Sequence, residues 1–167
     1  MKNNLTPFTL YRHDHNSDKF SSLGICIKSN IQIVHQEQYP TINAVRFKVS
    51  CNNNILQQNV TFLLVYRKND SDISVFINHL NYLLRTHTID IVLGDFNINY
   101  FCSREVKPLT SMMESLNYVQ IVNRPTFLYG SLLDHVYVQH ARENMIHSSV
   151  ISVYYADHDA IRITIPT

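Results

Sequence analysis

The spacing of apolar and polar residues predicts mainly β-structure in the first part of the chain. Leu23 to Lys28 and Ile31 to Gln36 are short apolar stretches separated by a turn-forming Ser-Asn pair, which predicts a hairpin. Alternation of apolar and charged residues over 45–49 predicts a half-exposed strand, and the nearly all-apolar run 60–66 predicts a buried one. The Asn/Gln-rich segment 51–59 between them is expected to be a polar loop.

From Ser71 the apolar residues recur at helical spacing. We predict a helix that begins with Ser71 or Asp72 as N-cap and ends near Thr86. A second helix is predicted by the apolar residues Val106, Leu109, Met112, Met113 and Leu116. Short strands are predicted at 89–93, 118–121, 133–138, 149–153 and 160–165. This succession indicates an α/β sandwich with mixed sheets.

Composition limits the class of protein. A chain of 167 residues with 45% hydrophobic residues fits one compact domain. The net charge of +1 gives no basic footprint for nucleic acid, so such a partner must be argued from a site. Three scattered cysteines argue against a disulfide framework and fit a reducing, intracellular compartment. No apolar run approaches the ~20 residues that span a bilayer, so no membrane partner is expected, and no obligate protein partner is indicated.

The first candidate for chemistry is Gly94-Asp95-Phe96-Asn97, which follows the predicted strand 89–93. Catalytic groups of α/β proteins often lie where strands end. In an extended segment Asp95 and Asn97 point the same way, so Asp95 could hold a water while Asn97 orients water or phosphate. A purely structural Asx turn after the strand is an equal alternative.

The second candidate is Tyr155-Ala156-Asp157-His158, which joins a possible metal ligand to a possible cation. A phosphoryl transition state needs both kinds of charge. His158 could stabilise it if a buried carboxylate keeps the imidazole protonated, and Asp134 at the start of an apolar strand is the candidate carboxylate. Taken singly, each residue is more often an ordinary loop residue.

Together these segments resemble, in kind and in order, the motifs of the endonuclease/exonuclease/phosphatase superfamily, and most closely the endonucleases of LINE-type retrotransposons. The matching segments are Tyr11-Arg12-His13-Asp14 with Gly24-Ile25-Cys26-Ile27-Lys28, Leu64-Val65-Tyr66-Arg67, Gly94-Asp95-Phe96-Asn97, Asn123-Arg124-Pro125-Thr126, Ser131-Leu132-Leu133-Asp134-His135 and Asp157-His158. The resemblance implies a DNase I-like fold, a four-layer α/β sandwich of two mixed sheets flanked by helices.

The resemblance also implies catalytic roles. Asp95 would orient or activate the attacking water, with Asn97 beside it. Asp134 would orient His158, and Tyr66 would approach the scissile phosphate. The reaction implied is hydrolysis of DNA phosphodiester bonds.

Binding roles follow in the same way. Asp157 would bind the metal, and Thr126, Arg67 and Asn97 would contact the substrate. Hard carboxylate oxygens favour Mg²⁺ or Mn²⁺ as the ion.

The sequence departs from the superfamily's pattern in three places. The family's N-terminal strand-helix-strand, with an asparagine and the principal metal-binding glutamate, is not found, so residues 1–167 are interpreted as a single domain incomplete at its N-terminus. Ala156 stands where serine is usual, and Ser21-Ser22-Leu23 replaces expected glycines. Two other functions therefore stay open: a noncatalytic remnant of a mobile-element protein, and a phosphatase acting on a lipid or nucleotide phosphate.

Overall fold

The computed structural model describes residues 8–13, 23–28, 31–53 and 56–165. The helices are α1 (Ile73–Thr86) and α2 (Ser103–Ser115). The strands are β1 (Phe8–His13), β2 (Leu23–Lys28), β3 (Gln32–Tyr39), β4 (Ala44–Asn53), β5 (Leu56–Tyr66), β6 (Ile91–Asp95), β7 (Tyr118–Gln120), β8 (Asp134–Gln139), β9 (His147–Ile151) and β10 (Ala160–Thr164). Neither helix is long and apolar enough to cross a membrane.

A mixed sheet of six strands, in the order β3-β4-β5-β6-β8-β7, forms the centre of the described structure. β5 and β6 are parallel, and the other neighbouring pairs are antiparallel. A parallel pair needs a crossover connection, which α1 supplies between β5 and β6. The C-terminal ends of β5 and β6 consequently meet the N-terminal end of β8 at one edge of the sheet.

Both helices pack on one face of this sheet. α1 begins where the Asp72 carboxylate accepts hydrogen bonds from the Ser74 and Val75 backbone N–H groups, which is an N-cap. Its buried face includes Leu80 and Leu83, which belong to a core cluster that also contains Leu63 of the sheet. The predicted helix with its Asp72 cap is therefore confirmed.

The opposite face of the sheet is covered by two antiparallel two-stranded sheets, β1–β2 and β9–β10. Leu23, Ile25 and Ile27 of β2 pack over β4 and β5, whereas Ile161 and Ile163 of β10 pack over the cluster around β6 and β8. The predicted α/β sandwich with a mixed sheet is confirmed. In the part of the chain that the structure describes, the layer on this face consists of these two antiparallel pairs.

Two local predictions were wrong. The stretches 23–28 and 31–36 do not form a hairpin with each other, because β2 pairs with β1 and β3 pairs with β4. The alternating burial of β2 explains the difference, since one face of the strand is needed against the central sheet. The expected loop 51–59 is largely strand, with Cys51 opposite Gln58 and Asn53 opposite Leu56, because backbone pairing does not require apolar side chains.

Gly94 is required by the close approach of β5 to β6. Its φ of +139° is unfavourable for residues with a side chain, and a Cβ added there would lie 1.9 Å from the Val65 carbonyl oxygen. Gly94 lies opposite Val65 in the parallel ladder. The glycine therefore lets β6 end tightly against β5, immediately before Asp95.

We expect Gly94→Ala to destabilise the protein by roughly 3 kcal/mol or more, because backbone atoms of β5 would have to move. The matched control is Gly130→Ala. Gly130 also has a positive φ, +82°, but an added Cβ would meet no atom within 4 Å. The control should cost only about 1–2 kcal/mol. Urea unfolding measures both, and equal losses would show that the contact with Val65 is not the constraint.

Candidate active site

Three side chains from neighbouring strands lie in one row at the edge of the sheet. Tyr66, the last residue of β5, is the ladder partner of Asp95, the last residue of β6. Asp95 is in turn directly opposite Asp134, the first residue of β8. Ladder partners place their side chains on the same face of a sheet, and here it is the face covered by β1–β2 and β9–β10. The fold thus brings two carboxylates together.

His158 reaches this row from the segment between β9 and β10. Its Nδ1 lies 2.8 Å from Asp134 Oδ2. Because an ionised carboxylate only accepts hydrogen bonds, Nδ1 is the donor, and Nε2 is left to face a ligand. The ligand atoms of Asp95, Asp134 and His158 all lie within 4.8 Å of one another. The geometry is that of an oriented imidazole beside a second carboxylate.

The Gly-Asp-Phe-Asn segment forms a tight turn and is not extended. Asn97 has a φ of +48°, and its backbone N–H donates to Asp95 Oδ1 at 2.9 Å, as in an Asx turn. The Asn97 side-chain Nδ2 also donates to Asp95 Oδ2 and to the Arg67 carbonyl oxygen. The structural alternative is therefore present, and the same bonds hold the Asp95 carboxylate in position.

The buried Arg67 side chain supports this turn from inside the protein. It is 3% exposed. Its guanidinium donates to the carbonyl oxygens of Phe96 and Asn97, each at 2.7 Å, and to the Ser71 carbonyl oxygen. Because these donors bind backbone oxygens inside the protein, Arg67 supports the turn, and its predicted contact with a substrate stays a prediction.

Thr126 also binds the backbone of the protein around the site. It is fully buried, and its hydroxyl oxygen accepts hydrogen bonds from the backbone N–H groups of Leu133 and Asp134. Its carbonyl oxygen accepts from the Asp159 N–H. Thr126 therefore fixes the start of β8 and the His158 segment, and its predicted contact with a substrate stays a prediction.

Two residues that sequence reasoning gave no role complete the support. His135 is fully buried, stacks on Phe96 with ring centroids 4.8 Å apart, and contacts the Ile98 carbonyl oxygen through Nε2 at 2.9 Å. Phe127 pairs with His158 in an isolated bridge, and their ring centroids are 5.0 Å apart. The burial of His135 could have been predicted from the two-residue period of β8. That period places His135 on the same face as Tyr137, which packs against the helices.

Asp157 lies outside the three-residue group. Its side chain is exposed, and among the described residues the donors that meet are those of Asp95, Asp134 and His158. The structure therefore does not support Asp157 as a metal ligand, although its charge acts on His158. The Arg-x-Asp stretch at 12–14 cannot be placed at the site, because residue 14 and the side chain of residue 12 lie outside the described part.

The site perturbs both of its central titratable groups. Burial raises the pKa of Asp95 to about 6, and the negative charge of Asp134 adds to the rise despite the opposing Asn97 hydrogen bond. Burial alone would lower the pKa of His158, but the hydrogen bond and charge of Asp134, together with the charges of Asp95 and Asp157, raise it. At a pH between the pKa of Asp95 and the raised pKa of His158, an ionised Asp95 is therefore combined with a protonated His158.

The donor set suits a hard divalent cation only in part. Two carboxylates fit Mg²⁺ or Mn²⁺, which prefer oxygen ligands. The imidazole Nδ1 already binds Asp134, so it does not serve as a ligand at the same time. Asp95 and Asp134 are the residues that fit the ion, and the remaining positions would belong to water and substrate oxygens.

No protein-family model and no curated protein sequence matches this chain.

Several solved structures are similar to this chain in fold. The endonuclease domain of TRAS1, a telomere-specific non-LTR retrotransposon, matches with a TM-score of 0.74 at 16% identity over 93% of this chain and 78% of that one. An endonuclease/exonuclease/phosphatase family protein from Leptotrichia buccalis has a TM-score of 0.65 at 15% identity, with 97% and 72% covered. A mannosyl-6-phosphatase from Bacteroides thetaiotaomicron has 0.62 at 12% identity, with 87% and 71% covered.

These likenesses show that the chain has the DNase I-like fold of the endonuclease/exonuclease/phosphatase superfamily. The resemblance predicted from the sequence motifs is confirmed at the level of fold, and it includes a retrotransposon endonuclease domain among the similar structures. The similar structures include both endonuclease and phosphatase, so fold alone does not select the substrate.

We expect Asp95→Asn to stabilise the metal-free protein at neutral pH. The pKa of Asp95 in the folded protein, about 6, lies above its ordinary value of 3.8, so ionisation costs the folded state more than the unfolded state. That cost is absent below about pH 3.8, grows up to about pH 6 and is complete above it. The Tm difference from wild type, measured in EDTA, should therefore rise across this range.

The matched control is Asp70→Asn, because the Asp70 side chain is 74% exposed. An equal gain in Tm for Asp70→Asn, or a gain for Asp95→Asn that is the same at pH 4 and pH 7, would contradict a buried-carboxylate origin.

Proposed function

We propose that the chain is a divalent-metal-dependent phosphodiesterase domain that hydrolyses DNA. The single observation that carries the proposal is the Asp95–Asp134–His158 group at one sheet edge, with the imidazole oriented by a 2.8 Å hydrogen bond. Oriented donors and carboxylates are what hydrolysis of a phosphate ester requires. The likeness to a retrotransposon endonuclease domain supports DNA as the substrate.

In this proposal Asp95 accepts a hydrogen bond from the attacking water and takes its proton as the water oxygen bonds to phosphorus. The bond from phosphorus to the leaving oxygen breaks, and that oxygen takes a proton from solvent. Protonated His158 donates from Nε2 to a nonbridging phosphate oxygen, where negative charge develops. Tyr66, the ladder neighbour of Asp95, borders the same site on the other side.

Asp95 and Asp134 would hold the ion at the site. A bound Mg²⁺ or Mn²⁺ supplies positive charge that neutralises the phosphate oxygens. Among the described residues this group contains two carboxylates and no glutamate. With two carboxylates alone we expect weak binding of the ion.

We expect slow nicking of supercoiled plasmid DNA by the purified chain at millimolar Mn²⁺, and no nicking in EDTA. Asp95→Ala and His158→Ala should each reduce the rate by about 100-fold or more, because proton transfer and charge stabilisation at a positioned group contribute at least that much. Gel separation of nicked from supercoiled plasmid measures the rate. The matched controls are Asp70→Ala and His140→Ala, whose side chains are exposed.

Nicking that persists unchanged in Asp95→Ala and His158→Ala would show that the activity does not come from this site. Absence of nicking in every variant and at every metal concentration would support the noncatalytic remnant. A phosphatase would be indicated instead if the chain released phosphate from a nucleotide monophosphate or an inositol phosphate, through the same two residues, while plasmid stayed intact.

A further inference from the structure

Two loops beside His158 present large apolar side chains to solvent. Leu128 and Tyr129 precede β8 and are 71% and 82% exposed, and Tyr154 and Tyr155 follow β9 and are 99% and 93% exposed. We call the three tyrosines, together with the neighbouring Leu128, the aromatic rim. One exposed apolar side chain is ordinary on a protein surface, but a group of them marks a surface that binds something.

Backbone contacts hold the two loops of the rim side by side. The Leu128 N–H donates to the Asp157 carbonyl oxygen at 2.9 Å, and the Asp159 N–H donates to the Thr126 carbonyl oxygen at 2.8 Å. Phe127 and His158 form a bridge between these two bonds. The rim is thus built on paired backbone and is not formed by two independent loops.

The rim is continuous with the candidate active site through Phe127. The Phe127 ring centroid lies 5.0 Å from that of His158 and 5.5 Å from that of Tyr129. The Phe127 ring therefore lies between the proposed catalytic imidazole of His158 and the exposed Tyr129. A polymer whose phosphate lies at His158 would pass beside the rim.

We propose that the aromatic rim stacks on unpaired bases of the nucleic-acid strand whose phosphate occupies the Asp95–Asp134–His158 site, an inference that rests on the proposed function. Tyrosine rings offer flat faces to any base, so this contact tolerates sequence. With a net charge of +1, the chain has little excess positive charge for attraction to the phosphate backbone. Stacking on bases would supply binding affinity that phosphate contacts do not provide here. Because stacking needs exposed base faces, it favours single-stranded or distorted DNA over a regular duplex.

The test is binding of fluorescent oligonucleotides to the full chain in EDTA, measured by anisotropy. The probes are a short single strand of thymidines, an abasic strand of the same length and charge, and the thymidine strand paired with its complement. The thymidine strand should bind at least about fivefold more tightly than the abasic strand and the duplex, as stacking of one base contributes that much.

Rim variants identify the residues responsible. Tyr129→Ser, Tyr154→Ser and Tyr155→Ser should each reduce the preference for thymidine, and the triple variant should abolish it. Phenylalanine at the same three positions should keep it, because the ring face is retained. The control is Tyr82→Ser, a tyrosine on α1 that is 64% exposed and should leave the preference unchanged.

Equal binding of the thymidine and abasic strands by wild type, no measurable binding, or serine variants that keep the full preference would each overturn the proposal. Self-association that the serine variants abolish, without any base preference, would assign the rim to a protein interface instead. Hydrolysis plays no part in these measurements. A base preference without nicking would contradict the proposed hydrolysis but support base stacking on the rim. Nicking without a base preference would support hydrolysis and contradict the stacking.

Discussion

The candidate site depends on keeping two carboxylates opposite each other at the end of a β-ladder. Asp95 and Asp134 are direct partners in the β6–β8 pair, and like charges in that position repel. The fold reduces the repulsion by placing His158 against Asp134 and the Asn97 amide against Asp95. Residues around the site then serve mainly to hold these partners in place. Arg67 binds the carbonyl oxygens of Phe96 and Asn97, just after Asp95, and Thr126 accepts a hydrogen bond from the Asp134 N–H. Gly94 lets β6 approach β5 closely, and His135 contacts the Ile98 carbonyl oxygen beyond the turn.

This arrangement costs stability at the place of the proposed reaction. Burial raises the pKa of Asp95 to about 6, so the ionised form that the proposed reaction needs is the form that the folded protein disfavours. A bound cation would remove that conflict, since it favours the ionised carboxylates. The electrostatics of the metal-free site therefore agree with a protein that works with a divalent ion.

Local features of this fold were predictable, and long-range contacts were not. Helix α1 followed from its apolar period and from Asp72, because capping involves only neighbouring residues. The pairing of β2 with β1 could not be deduced from two apolar stretches. An apolar strand can form backbone hydrogen bonds with the next strand in the chain, or it can pack its side chains on another sheet and pair elsewhere. Likewise, the burial of Arg67 depends on the carbonyl oxygens of Phe96 and Asn97, which lie 29 and 30 residues away along the chain. The motif resemblance singled out Asp95, Asp134 and His158. The β6–β8 register places the two carboxylates opposite each other, and the segment between β9 and β10 brings His158 to Asp134.

The central claim is that Asp134 keeps His158 oriented and positively charged. Its most direct test is the titration of the His158 ring protons by NMR in the metal-free protein, in wild type and in Asp134→Asn. We expect the pKa of His158 in wild type to lie above the ordinary value of 6.5 and to fall in Asp134→Asn. A His158 pKa at or below 6.5 in wild type, unchanged by the substitution, would contradict it.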